Sequence, residues 1–128
     1  MRFALVFLGA GSLVGCGWSE ARFIDEYVEV ECGFLLECND PAVNTFLGWE
    51  SLEDCIDDRG PRLARLASSC EYHREAARPC VQELEEVACP PDGEELDYPP
   101  LCEQVYQDCG DGTFPSESDG HTLDTGTE

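Results

Sequence analysis

Nine cysteines in 128 residues constrain this chain more than any other feature. An exported chain so dense in cysteine reads as a disulfide framework, yet a framework of pairs needs an even number. One cysteine therefore requires a separate explanation. The length allows a single domain. Seven basic residues, all arginine, stand against 28 acidic ones for a formal charge of −21. That balance excludes a phosphate-binding surface of the kind nucleic acids need.

The amino terminus supplies the explanation. Residues 1–15 open with Met1 and Arg2 and continue as an apolar run from Phe3 to Leu8, the layout of a secretory signal. The run is shorter than the ~20 residues of a membrane-spanning helix, and Gly9, Gly11, Ser12 and Gly15 weaken it further. Leu13-Val14-Gly15-Cys16 follows at once and resembles the lipobox of bacterial lipoproteins at all four positions. The resemblance implies diacylglycerol on the Cys16 thiol, cleavage before Cys16 and acylation of the new amine. Two or three acyl chains, at ~0.8 kcal/mol per buried methylene, anchor a protein stably where one does not. In such lipoproteins an Asp after the modified Cys marks inner-membrane retention. Gly17 stands there instead, so the resemblance implies the outer membrane. Trp18 fits either the headgroup layer or the protein's own core.

Beyond the signal, 28 acids against six arginines leave −22, and the cysteines number eight: Cys32, Cys38, Cys55, Cys70, Cys80, Cys89, Cys102 and Cys109. Four disulfides are the expectation in an oxidising compartment. Zinc is disfavoured because the closest spacings are six and seven residues, where zinc sites use tight C-x-x-C pairs. Eight cysteines allow 105 connectivities, and the sequence does not choose among them.

The pattern between them is helical. Phe23, Tyr27, Val30, Phe34 and Cys38 recur at steps of three and four, predicting a helix from Ser19, its N-cap, to about Cys38. Asn39-Asp40-Pro41 ends it, and a loop carries Trp49. Ser51-Leu52-Glu53-Asp54 resembles a capping box and opens a short helix that Gly60-Pro61 stops, with a further helix starting at Pro61. A fourth is read from about Arg78 to Ala88, and Pro79 sets Glu71–Ala77 apart as a turn or a kinked first half. The proline-bounded PPDGEELDYPP is a stiff solvated loop, and Leu101–Cys109 is a last helical piece. No run alternates convincingly as a strand. The expected architecture is all-α, a small disulfide-pinned domain over residues 19–109, with 16–18 as anchor and tether and 110–128 as a disordered acidic tail.

The chain offers little for catalysis. His73 and His121 are its only histidines, and no nucleophile elbow, zinc-protease or P-loop pattern occurs. An enzyme is not expected; the fallback would be a carboxylate-based hydrolase. No cofactor and no built metal site is expected either. Asp108 to Thr113 and the loop acids Asp92, Glu94, Glu95 and Asp97 have the donor chemistry of calcium sites but not the spacing of an EF-hand. Loose divalent cations on a −22 surface are the alternative reading. Arg59, Arg62 and Arg65, at every third position, invite two readings: a docking stripe for an anionic partner or lipid headgroup, or ion pairing with Asp57, Asp58 and other acids.

The whole mature chain resembles the small cysteine-rich lipoproteins found in many copies in predatory, multicellular Gram-negative bacteria. The residues that carry this are Leu13 to Cys16, AARPCVQELEEVAC from Ala76 to Cys89 and PPLCEQVYQDC from Pro99 to Cys109. The resemblance implies an outer-membrane protein held by its lipid anchor, and that group has no established activity to carry over. The chain as a whole reads as a non-enzymatic binding or structural module of the cell envelope, with an envelope protein as the expected kind of partner.

Overall fold

The computed structural model describes residues 17–91 and 94–110. They form four α-helices, α1 (Glu20–Cys38), α2 (Pro41–Leu47), α3 (Leu52–Ala67) and α4 (Arg74–Glu85), with a 3-10 turn (Pro100–Gln104) and two-residue strands β1 (Glu71–Tyr72) and β2 (Tyr106–Gln107). The all-α reading holds. The expected signal over residues 1–15, Cys16, the expected tail from Asp111 onward, Asp92 and His121 lie outside the described residues.

α1 forms where its periodicity places it. Ser19 Oγ accepts the Arg22 N–H at 3.2 Å as N-cap, and Phe23, Tyr27, Glu31 and Leu35, four residues apart, are buried along one row. α2 occupies part of the expected loop. Asp40 caps it through the Ala42 N–H at 2.8 Å, Pro41 fills its first turn, and Gly48 closes it in the left-handed region at φ 80. Buried Asn44 ties α2 to α1 by donating to Leu36 O at 3.3 Å.

The structure corrects the break at Pro61 and, at Pro79, takes the second of the two alternatives, in which the preceding stretch is the first half of the same helix. α3 runs unbroken through Gly60-Pro61 as one helix, and α4 begins at Arg74 with Pro79 inside it. A proline costs its own backbone bond and crowds the residue before it. In α3 that residue is Gly60, which has no Cβ to clash. Burial on both sides then outweighs the lost bond: Cys55 and Arg59 before Pro61, Leu63 and Ala67 after it. In α4, Ala76 and Ala77 bury before Pro79 and Cys80, Val81 and Leu84 after it. The helix also stops at Glu85, short of Ala88.

The strand pair is a second departure. β1 and β2 run antiparallel with Glu71 opposite Gln107 and Tyr72 opposite Tyr106. Two residues carry no alternation to detect, and the 3-10 turn takes only the first half of the predicted last helix. α1 packs along α3 and α4, and the 3-10 turn closes over α4. Phe23, Tyr72 and Tyr106 share a tilted aromatic cluster at 5.5–6.1 Å between ring centres.

Candidate functional sites

All eight expected cysteines are bridged: Cys32–Cys55, Cys38–Cys89, Cys70–Cys109 and Cys80–Cys102. Cys32–Cys55 joins α1 to α3, and Cys38–Cys89 ties the end of α1 to the segment after α4. Cys80–Cys102 fastens the 3-10 turn to α4, and Cys70–Cys109 closes the strand pair. Cys32–Cys55 and Cys80–Cys102 differ from the other two in access. Cys32, Cys55, Cys80 and Cys102 are fully buried, whereas Cys38, Cys70 and Cys109 are half-buried and Cys89 is exposed. None of the eight is left over for Cys16.

The three arginines of the expected stripe do not share a surface. A step of three residues turns a helix by about 60° short of a full turn, so side chains at 59, 62 and 65 wind around α3 instead of lining one face. Arg59 is buried and pairs with Glu31, itself 1 % exposed. Arg62, half exposed, pairs with Asp58 at 3.3 Å, and Asp58 also accepts the Trp49 indole N–H at 3.0 Å. Arg65 is exposed. A docking stripe that includes Arg59 is therefore withdrawn, and ion pairing accounts for Arg59 and Arg62, with Glu31 as a partner not foreseen.

The Glu31 site was nonetheless detectable. Glu31 continues the row Phe23, Tyr27, Leu35 on the apolar face of α1, and Arg59 continues Cys55, Leu63, Ala67 on α3. A charge on each of two core rows is a signal that they meet. The Tyr98 hydroxyl donates to Glu31 Oε1 at 3.0 Å, bringing in the proline-bounded loop. Tyr27 lies on the same cluster; burial first, then the Glu31 charge, pushes its phenol well above the ordinary value. The arrangement neutralises a buried carboxylate and positions helices. Tyr98 also forms one wall of an open groove with Glu83, Glu86, Val87, Asp97 and Pro99.

His73 lies between two carboxylates, Nδ1 at 3.5 Å from Glu75 and Nε2 at 4.0 Å from Glu71, and its backbone N–H donates to Val105 O at 2.7 Å. Among the described residues, no group of three or more His, Cys, Asp or Glu side chains is placed to hold a metal ion. The calcium-like stretch from Asp108 extends beyond the described residues at Asp111.

Residues 17 and 18, read as a tether, pack on the domain. The Tyr72 hydroxyl donates to Trp18 O at 2.7 Å, and the Arg22 guanidinium stands 4.7 Å over the half-buried Trp18 ring, which rests on the core. Gly17 lies against Arg74: a Cβ there would overlap Arg74 Cγ and stand 3.0 Å from Arg74 O. Glycine at this position thus has a packing reason of its own. Among the described residues no helix is long and apolar enough to cross a membrane. No protein-family model, no curated protein and no solved structure matches the chain.

Proposed function

We propose that this protein is an exported lipoprotein, acylated at Cys16 and held on the outer membrane, whose disulfide-pinned helical domain serves as a non-enzymatic binding or structural module of the cell envelope. The observation that carries the proposal is the cysteine arithmetic joined to position. Eight cysteines are consumed in four bridges, and the ninth stands at the end of a signal layout in the four-residue context Leu13-Val14-Gly15-Cys16. Four bridges also suit an oxidising compartment outside the cytoplasm.

Intact mass of the protein extracted from membranes tests the anchor. The expected species begins at Cys16 and carries diacylglycerol with or without a third acyl chain. A mature protein that starts elsewhere, or one lacking the lipid mass, overturns the reading. Cys16→Ser should move the protein out of the membrane fraction. For the module reading, affinity capture from envelope extracts with the membrane-purified protein should return a stoichiometric partner whose recovery falls when Arg62 and Arg65 are changed to Glu; capture unaffected by both changes removes α3 as the docking face.

A further inference from the structure

Of the six arginines beyond the signal, three lie on α3. The other three gather where the chain enters the domain. Arg22 covers Trp18, the stem of Arg74 lies against Gly17, and Arg78 follows Arg74 by one turn on the same exposed side of α4. Among the described residues none of these three makes an ion pair with a carboxylate, in a chain where acids outnumber bases fourfold. Of the acids nearby, Glu71 and Glu75 flank His73, and Glu20 sits in the first turn of α1.

We propose that this end of the domain is a membrane-facing collar: Trp18 enters the headgroup layer at its exposed edge, while Arg22, Arg74 and Arg78 bind lipid phosphates. The proposal rests on the reading of Cys16 as the acylated residue. One residue spans at most ~3.6 Å, and Gly17 and Trp18 are already fixed on the domain by Arg74 and Tyr72. Acyl chains on Cys16 then leave no slack between bilayer and protein, so the surface around residue 17 must meet the headgroups. Counter-charge is effective there because screening sets in only over about 8–10 Å, and Arg22 stands 4.7 Å over the Trp18 ring while Arg74 lies against Gly17. An indole at headgroup depth and arginines on phosphates are what such a boundary favours. The remaining acid-rich surface extends away from it along α1, which at 19 residues is about 28 Å long.

The test uses the full chain, expressed with its signal, purified from membranes and reconstituted into vesicles of phosphatidylglycerol and phosphatidylethanolamine. Trp49→Phe leaves Trp18 as the sole indole. Lipids brominated near the headgroup end of the acyl chain should quench Trp18 emission. The triple change Arg22→Glu, Arg74→Glu and Arg78→Glu should cut that quenching by about twofold or more, whereas Arg65→Glu should leave it unchanged. Unquenched Trp18 in a protein whose mass shows acylated Cys16 overturns the collar and spares the anchor. Equal loss from Arg65→Glu assigns the effect to net charge and also overturns the collar. A protein without lipid on Cys16 overturns both.

Discussion

The residue with the most demanding surroundings is Glu31, a carboxylate with 1 % exposure held by Arg59 and Tyr98. Removing one member of a buried pair strands the other charge, which costs about 3–5 kcal/mol, while replacing both by apolar groups of similar volume is close to neutral. Arg59→Met or Glu31→Leu alone should therefore lower stability by about that amount, and the double variant should recover most of it in denaturant unfolding. A double variant as unstable as the sum of the singles would show that the two charges are not coupled and would overturn the buried-pair account. The tyrosines make a second prediction. Burial pushes the phenols of Tyr27, Tyr72 and Tyr106 above their ordinary value of 10.0. Each keeps its proton in the fold to higher pH than in the unfolded chain. The stability this lends is complete below pH 10 and is lost as pH rises above it. Absorbance at 295 nm should show these three ionising only above pH 10, together with unfolding; early reversible ionisation of all four tyrosines would contradict the burial. Much of the residue scale was legible in sequence. Ser19 and Ser51 cap the helices they were expected to cap, because capping needs only local spacing. The Glu31–Arg59 pair joins positions 28 apart and required knowing which helices pack.

At the scale of elements, the missed boundaries share one cause. Local propensity disfavours proline inside a helix, so Gly60-Pro61 reads as a stop and Pro79 as the opening turn of a helix from Arg78, and tertiary burial on both sides carries each helix through its proline. α2 was missed because seven residues hold too short a period to recognise, and it depends on Asn44 docking on the end of α1. β1 and β2 are legible only as a pairing between positions 36 apart, Glu71 and its partner Gln107. Gly33 tests how far α1 is limited by its own composition. It is exposed in the body of α1, and a Cβ there meets nothing within 4 Å. Gly33→Ala should stabilise by about 1 kcal/mol, raising the Tm by about 4–8 °C in a domain of this size. A lowered Tm on thermal unfolding would mean that residue 33 has a partner in the folded protein.

For the molecule as a whole, the bridges divide into an inner and an outer pair. By loop length alone each restricts the unfolded chain by roughly 3–4 kcal/mol, so loop entropy does not distinguish them. Access does. Under limiting dithiol, alkylation and mass mapping should find Cys38, Cys89, Cys70 and Cys109 labelled before Cys32, Cys55, Cys80 and Cys102. Simultaneous labelling of all eight would mean that the fold opens as a unit before any bridge is reduced. The order of the bridges along the chain has another consequence. The spans 32–55, 38–89, 70–109 and 80–102 overlap so that every peptide bond between Cys32 and Cys109 is enclosed by at least one of them. A protease that nicks any one of those bonds, the proline-bounded loop included, produces two strands that stay covalently joined. A protein tethered by its amino end could be shed by a single cut only ahead of Cys32, and from Glu20 onward that stretch is wound into α1, with Phe23, Tyr27 and Val28 turned into the core. On the proposed anchor, a single scar anywhere between Cys32 and Cys109 would leave the whole domain attached, so one cleavage event would change the molecule without releasing it.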